Sequence, residues 1–314
     1  MLPFNIREKI ISYIYKNIFK KKTAIAFSGG LDSSILLDIC KKNKNLMVIH
    51  VNHNLNKDSK KWSEFCKTVA RKKKLKFKSL EIFIKEEDVK KYGIEGAARI
   101  KRYISISNYM RKKKIRNLLT AHHLDDCIET YILKFFRGCG IRGLKSIEKK
   151  KKIFGITLFR PLIEISRLDL ISLFKKPKKY IKDPSNSNKK IRRNMIRFIL
   201  NKYVYNVFPN IKKVILRNID NYKCEIKLLD ILAKKDIKET GMFLIEIAKL
   251  SRDRIINIIV FLLNNKNIGI PSKKWILEVV KQIKKKKKSM VVKKKNVIIF
   301  IREGRLVIDE NNSA

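Results

Sequence analysis

Cysteine is scarce in this 314-residue sequence, and the cysteines present are not paired. None of the five forms a C-x-x-C motif; they are Cys40, Cys66, Cys127, Cys139 and Cys224. An odd, scattered set does not form a disulfide framework, and it lacks the closely spaced thiols typical of zinc and iron–sulfur sites. The cysteines therefore favour a reducing compartment, and we expect the protein to be cytoplasmic.

Long apolar runs are missing as well. One of the longest, residues 255–263, contains Asn257 and is far shorter than the roughly 20 residues that span a membrane. The amino-terminal helical pattern carries Glu8 and is followed by no small-residue cleavage site, which is unlike a targeting peptide. The sequence therefore predicts no membrane partner and no cleaved leader.

Acidic residues are outnumbered by basic ones. The chain has 76 Lys and Arg against 28 Asp and Glu, a net charge of +48. This charge attracts polyanions, and nucleic acid is the commonest partner of so basic a protein. The alternative is codon bias, because an AT-rich genome enriches Lys, Ile and Asn without any selection for binding. Composition alone leaves both explanations open.

Short apolar runs alternate with longer helical patterns between Thr23 and about Phe136. The predicted strands are Thr23–Phe27, Leu46–Asn52, Phe77–Ile82 and Asn117–Ala121. The predicted helices are Asp32–Lys41, Ser59–Lys73, Glu95–Lys112 and one that begins at Asp125. This alternation predicts an α/β fold with a doubly wound, Rossmann-like parallel sheet, whose ligands bind at the carboxyl ends of the strands.

The sequence also predicts how the chain is divided. Residues 1–209 form the first domain with a helical extension at about Lys190–Phe208, residues 210–235 form a connecting helix, and residues 236–314 form a smaller α+β domain. The elements predicted in the smaller domain are helices near Arg252–Asn264 and Ser272–Lys285 and a hairpin of Asn296–Ile301 with Arg305–Ile308.

A glycine-rich segment, Ser28–Ser34, joins the first predicted strand to the first predicted helix. Gly29 and Gly30 allow the backbone to approach a polyanion closely, and the amides of the first helical turn attract it. The alternative is an ordinary glycine-rich turn. The segment is not a Walker loop, because the G-x-x-x-x-G-K-[ST] pattern is absent.

The letters S-G-G-L-D-S of this segment resemble the signature of the PP-loop ATP pyrophosphatases, which cleave ATP between the α and β phosphates. The resemblance implies that pyrophosphate lies in the loop while AMP passes to a substrate. The implied ATP-binding residues are Ser28, Gly29, Gly30, Leu31, Asp32 and Ser33. Asp32 by itself would repel phosphate, and a bound Mg²⁺ that bridges carboxylate and phosphate oxygens resolves this conflict.

All four histidines fall in the first predicted domain, at the carboxyl ends of the second and fourth predicted strands; they are His50, His53, His122 and His123. With Asp125 and Asp126 they suggest a metal cluster as one hypothesis, although no cysteine pair supports a structural zinc site. A buried, hydrogen-bonded histidine is the other alternative, and it suits His50 best.

A longer stretch, Thr120–Thr130, resembles the T-A-H-H-x-D-D-x-x-E-T motif of the tRNA(Ile)-lysidine synthetases, and Arg137–Leu144 is similar to their R-G-x-G-x-x-G-L segment. Three further matches keep the family's order: Val51–Leu55, Gly93–Arg99 extended by Arg102 and Tyr103, and Arg160–Leu162 followed by Asp183–Asn186 with Arg193 and Asn194. The resemblance covers about Thr23–Arg197 and is loose beyond Pro209.

The resemblance implies that the protein attaches free L-lysine to the wobble cytidine of an isoleucine tRNA with a CAU anticodon. ATP is converted to AMP and pyrophosphate, because AMP is first transferred to the cytidine carbonyl oxygen and is then displaced by the lysine side-chain amine. The product, lysidine, lets the tRNA read AUA as isoleucine. No obligate protein partner is expected.

The resemblance also implies roles for single residues. The implied catalytic residues are Asp32, Arg99, His123, Asp126 and Arg193. The implied Mg²⁺ ligands are Asp32, Asp125 and Asp126, and the implied substrate-binding residues are Glu129, Arg137 and Asn194. Asp126, Glu129 and His123 are candidates to bind the lysine ammonium or remove its proton, and the sequence does not rank them. For Arg99 and Glu129 the alternative is a solvated helix face.

Three other functions compete with this one. The tRNA thiolases are PP-loop enzymes that generally carry cysteines for sulfur or an iron–sulfur cluster, often as C-x-x-C. Amidotransfer of the GMP-synthetase type needs a glutaminase partner. A non-catalytic RNA-binding protein on a decayed scaffold is the third, and the retained Asp32, Ser33 and histidine–aspartate cluster argue against decay.

The carboxyl-terminal part resembles the family less closely. Here we expect the chain to resemble the shorter family members, which lack the further domain of longer ones. The lysine runs Lys284–Lys288 and Lys293–Lys295 flank the predicted hairpin, and we expect them to contact the tRNA backbone, with codon bias as the alternative. In the first domain, Gly96 stands where the family pattern suggests alanine, at a cost of up to about 1 kcal/mol in a helix.

Overall fold

The computed structural model describes residues 3–18, 21–54, 57–174, 177, 179–266, 268–294 and 297–311. Leu55, Lys295 and Asn296, which belong to segments named above, lie outside the described residues. The chain divides into two compact units, Met1–Arg217 and Asn218–Ala314. In the described ranges, no helix is both long enough and apolar enough to cross a membrane. The predicted boundaries at residues 209 and 235 stay predictions.

A six-stranded sheet forms the centre of the first unit. Its strands are β1 (Thr23–Ala26), β2 (Leu46–Asn52), β3 (Lys76–Glu81), β4 (Asn117–Leu119), β5 (Lys150–Ile153) and β6 (Ile156–Phe159). Their order is β3-β2-β1-β4-β6-β5, and all neighbours are parallel except β5 and β6. Strand β1 is central, because Thr23 pairs with both Leu46 and Asn117.

Helices cover both faces of this sheet. They are α1 (Pro3–Asn17), α2 (Leu31–Cys40), α3 (Ser59–Lys72), α4 (Glu86–Lys112), α5 (Leu124–Phe135), α6 (Ile141–Leu144) and α7 (Arg167–Leu173). Ile25 of β1 belongs to the core formed with α1, α2, α3 and α7, whereas the neighbouring Ala24 packs in a second core with Tyr103 and Met110 of α4. Successive strand residues point to opposite faces, so the two cores lie on opposite sides of the sheet. The predicted doubly wound α/β fold is confirmed.

The first unit ends in a broken helical region. Its elements are a 3₁₀ turn (Pro184–Ser187), α8 (Arg192–Ile199), a π-helical turn (Leu200–Val204), α9 (Tyr205–Val207) and the start of α10 (Ile211–Thr240). The helix predicted over Lys190–Phe208 is present, but the sequence does not indicate its π-helical turn. Pro209 separates it from α10, because proline has no amide to continue the helix.

The sequence does not predict β5 or β6. Strand β5 begins with three exposed lysines at the sheet edge, a composition typical of a solvated segment. The turn after it is Phe154-Gly155, with φ angles of 43° and 77°, so it follows type I′ geometry without the usual Asn-Gly signal. Helix α4 begins at Glu86 rather than at Glu95, because the non-helical Gly93 joins two helical segments.

The second unit combines helices with a small antiparallel sheet. Its further helices are α11 (Leu244–Lys249), α12 (Arg252–Asn265) and α13 (Lys273–Lys284), and its strands are β7 (Val291–Lys294), β8 (Val297–Arg302) and β9 (Arg305–Glu310), in the order β7-β8-β9. The predicted hairpin is β8–β9, in which Arg302 pairs with Arg305 across Glu303 and Gly304. The predicted smaller α+β region is therefore confirmed, and β7 is an addition to it.

Candidate active site

Three loops meet where the strand order reverses around β1. Phe27 extends β1 by donating its backbone N–H to Ile49 at 2.8 Å, and the Nδ1 of His50 lies 2.9 Å from the Phe27 carbonyl oxygen. The carboxyl ends of β1 and β2 are thereby tied together, and β4 lies on the other side of β1. In open α/β sheets, ligands bind at such a reversal point.

The loop after β1 has the geometry of an anion-binding turn. Gly29 has a φ of 78°, and a Cβ at this position would clash with the side chain of Ile181. The Ser28 hydroxyl accepts a hydrogen bond from the Gly30 amide at 3.3 Å and lies 3.1 Å from the Ser33 hydroxyl. Gly30 is the N-cap of α2, whose free first-turn amides attract an anion.

A cavity of about 400 Å³ opens beside this loop. Its lining includes Ser28, Asp32, His53 and His122, so the phosphate loop and the histidines after β4 lie at one edge of the sheet, as predicted. A second cavity of about 460 Å³ shares His53 and Arg102 with the first. It extends the space along α4, where Arg99 contributes to its wall.

Three carboxylates surround one buried histidine at this edge. Asp32 lies in the first turn of α2, Asp125 and Asp126 lie in the first turn of α5, and His123 is the N-cap of α5. The His123 Nε2 atom lies 3.9 Å from Asp32 Oδ2 and 3.6 Å from Asp126 Oδ2, and its Nδ1 lies 3.5 Å from Asp125 Oδ2. The His123 backbone N–H also donates to Asp126 at 3.0 Å, which satisfies one free amide of the helix terminus.

Two of the cations that bind these carboxylates, Lys212 and Arg167, are not predicted by the sequence. Lys212 donates to Asp125 Oδ1 at 2.6 Å, and the backbone N–H of Arg167 donates to Asp125 Oδ2 at 2.7 Å. The Arg167 side chain donates to Asp32 Oδ1 at 3.2 Å. Burial would raise the pKa of Asp125, but the hydrogen bonds from Lys212 and Arg167 outweigh it and lower that pKa.

Glu129 is the centre of a buried charge network. It is 1% exposed, so the solvated-face alternative is wrong for this residue. Arg193 Nε and Arg197 Nε each donate to one Glu129 oxygen at 2.6 Å, and Arg193 Nη2 also donates to Asp126 at 2.7 Å. Burial would lower the pKa of the two arginines, but these carboxylates raise it, so both arginines stay charged.

This network limits what Glu129 can do directly, because arginines already occupy both of its oxygens. A contact of Glu129 with the substrate stays a prediction. The sequence motifs do not single out Arg197, although its spacing of four from Arg193 places both on one face of α8.

Three other predicted residues lie further from the carboxylates. Arg99 is exposed and contributes to the second cavity. Asn194 donates to the carbonyl oxygens of Ser185 and Asn188 at 2.8 and 3.0 Å, so it holds the 3₁₀ turn in place. Arg137 is exposed in the turn after α5 and lines neither cavity. The structure thus gives Asn194 a structural partner, and substrate contacts by Asn194 and Arg137 stay predictions.

The histidines that line the first cavity are neutral at neutral pH. Burial lowers the pKa of His53 to about 4, with repulsion from Arg102 as a further cause, and burial lowers the pKa of His122 to about 3. The His122 Nδ1 atom lies 2.9 Å from the Thr120 hydroxyl. Burial also lowers the pKa of His50, so the buried, hydrogen-bonded alternative fits that residue.

The donor groups fit Mg²⁺ better than zinc. In the described part of the chain, no three or more His, Cys, Asp or Glu side chains are grouped to hold a metal ion. Mg²⁺ needs only one or two carboxylates when phosphate oxygens complete its shell. Asp32 suits this role because it lines the cavity, whereas Asp125 and Asp126 each accept hydrogen bonds on both oxygens.

The sheet order, the phosphate loop and the carboxylate cluster together define the class of this protein. The family model described as "PP-loop domain" matches residues 5–203, and the chain belongs to that family. Membership implies that the protein uses ATP.

Within that class, the curated relatives are tRNA(Ile)-lysidine synthases. The chain is 34% identical over 263 residues to the one from Wigglesworthia glossinidia brevipalpis, a match that covers 77% of this chain and 64% of that protein. It is 34% identical over 267 residues to the one from Buchnera aphidicola subsp. Baizongia pistaciae, covering 80% and 56%. The predicted resemblance is confirmed. The chain spans less than two thirds of the length of these relatives.

A solved structure shares the fold. The U34-tRNA thiolase NcsA from Methanococcus maripaludis, determined with its [4Fe-4S] cluster, matches with a TM-score of 0.53 and 17% identity over 69% of this chain and 78% of that chain. At this identity the likeness shows the fold alone.

Proposed function

We propose that this protein is a ligase that joins L-lysine to the wobble cytidine of a tRNA(Ile) with a CAU anticodon, at the expense of ATP. The observation that carries the proposal is the assembly of the phosphate loop and the Asp32–His123–Asp126 cluster at one sheet edge. It occurs in a chain that is 34% identical to tRNA(Ile)-lysidine synthases. The tRNA substrate and the unpaired cysteines support a cytoplasmic location, and the reaction calls for no obligate protein partner.

The first step is transfer of AMP to the tRNA. The carbonyl oxygen of the cytidine attacks the α-phosphorus of ATP, the bond from that phosphorus to the bridging oxygen breaks, and pyrophosphate leaves. The amides and hydroxyls at Ser28–Ser33 hold the pyrophosphate, and Arg99 stabilises charge that develops on the phosphoryl group. Asp32 would hold Mg²⁺, which would supply positive charge to neutralise part of the charge of the phosphates.

The second step forms the new carbon–nitrogen bond. The neutral side-chain amine of lysine attacks the ring carbon, the carbon–oxygen bond breaks, and AMP leaves with the oxygen. The proton released by the amine needs an acceptor. With a pKa of about 3, His122 is too weak a base for this role, whereas His123 lies among three carboxylates and is the better candidate.

Nucleoside analysis tests the proposal most directly. The full chain is incubated with ATP, Mg²⁺, L-lysine and an unmodified tRNA(Ile) transcript, and the digested RNA is analysed by mass spectrometry. We expect a nucleoside equal to cytidine plus lysine minus water, and none when lysine or ATP is omitted. Cytidine left unchanged under all conditions would refute the ligase and favour a decayed, non-catalytic scaffold.

Three of the five cysteines are poorly suited to thiolation, which favours ligation. Cys40, Cys66 and Cys127 are buried, and burial raises their pKa values to about 12, 12 and 11, so they are protonated and poor nucleophiles. A thiolated nucleoside in the same analysis, formed with a sulfur donor, would reverse this conclusion.

A further inference from the structure

The segment that follows the site residues is basic throughout. Between Pro184 and Ile219 the sequence contains nine Lys and Arg and no Asp or Glu. Codon bias in an AT-rich genome explains this poorly, because the codons of Asp and Glu are also available at high AT content. Only some of these cations have partners in the site: Arg193, Arg197 and Lys212 bind Glu129 and Asp125.

Four other residues of this segment form a compact group of cations and aromatic rings, which we call the Phe198 surface: Lys189, Phe198, Lys202 and Tyr203. The Lys189 Nζ atom lies 3.8 Å from the centroid of the Phe198 ring, and the Lys202 Nζ lies 5.5 Å from the same centroid and 5.2 Å from that of Tyr203. Two ammonium groups thus share one ring, and neither forms an ion pair with a carboxylate in the described part of the chain. An anion between them would relieve their repulsion.

The π-helical turn is what brings the two rings together. Residues five apart in an α-helix point about 140° away from each other, since each residue turns the helix by about 100°. In a π-helical turn the backbone bonds link i to i+5, so such residues lie on the same side. The turn Leu200–Val204 begins two residues after Phe198 and contains Tyr203, and the Phe198 and Tyr203 rings are 6.3 Å apart in an edge-to-face arrangement.

The Phe198 surface lies on the same segment of the chain as residues that hold the candidate active site. Phe198 follows Arg197 in the chain, and the Arg197 guanidinium donates hydrogen bonds to Glu129. Two residues after Tyr203, the Tyr205 ring has its centroid 4.4 Å from the Nζ atom of Lys212, the lysine that donates to Asp125. Tyr203 is 52% exposed, so a large part of its side chain is accessible to a ligand. A ligand on this surface would therefore contact the same helical segment that holds the carboxylates.

We propose that the Phe198 surface binds unpaired nucleotides of the RNA substrate beside the reacting base. Tyr203 stacks on a base, and Lys189 and Lys202 bind the neighbouring phosphates. An exposed tyrosine beside a half-buried phenylalanine and two lysines suits single-stranded RNA, because a duplex keeps its base faces inside the stack. The inference depends on the proposed function only for which RNA is bound.

Binding measurements without ATP or lysine test this surface apart from catalysis. The full chain is titrated in EDTA with a fluorescent hairpin that carries the CAU anticodon loop, and with a fully paired duplex of the same length. Tyr203→Ala should bind the hairpin about tenfold more weakly and leave duplex binding unchanged, whereas Tyr203→Phe keeps the stacking face and stays within about twofold of the wild type. Thermal melting confirms that each variant is folded.

The lysines are tested by salt dependence. The double variant Lys189→Gln/Lys202→Gln should flatten the slope of log affinity against log salt for the hairpin, by roughly 0.7 for each phosphate that a lysine no longer neutralises. The matched control is Lys42→Gln/Lys44→Gln, which removes two exposed lysines between α2 and β2, at the opposite edge of the sheet.

Two results would overturn the inference: hairpin binding by Tyr203→Ala within about twofold of the wild type, or equal weakening of hairpin and duplex. Failure of the proposed function gives a different result, because the wild type would then form no lysidine whatever the binding data show.

Discussion

The three aspartates of the site differ in how many hydrogen bonds their carboxylate oxygens already accept. Asp125 and Asp126 both start α5, yet each accepts hydrogen bonds on both oxygens, from Lys212 and Arg167 or from Arg193 and the His123 amide. Asp32, at the start of α2, lines the cavity beside the phosphate loop and accepts one side-chain hydrogen bond, from Arg167. Asp32 is therefore better placed than Asp125 or Asp126 to meet a ligand, and metal binding by all three stays a prediction.

Asp32→Asn should keep the fold and lose most of the activity, because it removes a charge needed for the metal rather than a core contact. The rate of pyrophosphate release with tRNA and lysine measures this effect, and thermal melting checks the fold. Asp38→Asn is the matched control, since Asp38 lies on the same helix but pairs with Lys41 and Lys73. Near-normal turnover of Asp32→Asn would remove this residue from the catalytic set.

His53 should make the stability depend on pH. Its pKa is lowered to about 4 in the folded state and is about 6.5 when unfolded. Between these values the unfolded chain binds the proton and the folded chain does not, so the free energy of unfolding falls as the pH falls from about 6.5 to about 4. His53→Gln should reduce that dependence. Urea unfolding across this range measures it, with the free energy of unfolding of each protein expressed relative to the value of the same protein at pH 8. An unchanged slope would show that His53 is accessible to protons when folded.

At the scale of elements, the turn between β1 and α2 depends on one glycine more than on its neighbour. Gly29 has positive φ and no room for a Cβ, whereas Gly30 has a φ of −72° and its added Cβ would lie 3.4 Å from the nearest atom, the Ser28 Oγ. The S-G-G pattern identifies the loop, but only the structure distinguishes the two glycines.

Gly29→Ala should therefore weaken ATP binding strongly and lower the stability by about 1–2 kcal/mol for the backbone alone, because a left-handed conformation is unfavourable for alanine. Gly30→Ala is the paired comparison and should be much milder. Calorimetric titration with ATP and thermal melting measure both effects. Equal effects of the two substitutions would contradict the role assigned to the Gly29 backbone.

The lysine run of the second unit separates into two parts. Lys284 donates to the carbonyl oxygens of Ala248 and Leu250 at 2.9 and 2.6 Å, so it caps the carboxyl end of α11. Lys284 thus has structural partners of its own, and contact of the run Lys284–Lys288 with tRNA stays a prediction. The other four stay candidates for contact with tRNA.

Two variants distinguish these roles. Lys284→Met should lower the melting temperature, since about 0.3–1 kcal/mol is typical of a cation at a helix carboxyl end, and should leave the salt dependence of tRNA binding unchanged. Replacing Lys285–Lys288 with glutamine should have the opposite pattern, with a flatter slope of log affinity against log salt. If that slope survives, these lysines do not bind phosphate and codon bias explains them.

At the scale of the whole molecule, the proposed reaction joins three substrates at one sheet edge. A site that transfers AMP to tRNA should not cleave ATP in the absence of tRNA, because the attacking oxygen belongs to the tRNA. ATP should therefore be split to AMP and pyrophosphate only when tRNA is present, or in far larger amount with tRNA than without it. Thin-layer separation of radiolabelled products measures this, and heat-denatured tRNA is the control. ADP as the main product would contradict PP-loop chemistry.

Much of the first unit could be predicted because its signals are local. Strand β2 has the predicted bounds, Leu46–Asn52, since a buried parallel strand is a continuous apolar run. The phosphate loop and the start of α5 are recognisable for the same reason. Strand β5 is not, because its lysines lie at a sheet edge, where the pairing partner rather than composition decides the conformation.

The sequence by itself determined the phosphate loop and the carboxylates and histidines of the site, because each motif is a short segment whose turn or helix start follows from its own residues. Only the tertiary structure decided which groups meet. Asp32 and His123 approach because β1 and β4 are neighbours in the sheet, and Lys212 and Arg197 reach carboxylates on distant segments of the chain. The π-helical turn likewise aligns Phe198 with Tyr203, which the period of an ordinary helix would separate. Pairings of this kind depend on the order of the strands and on the path of the backbone, and local sequence patterns carry neither.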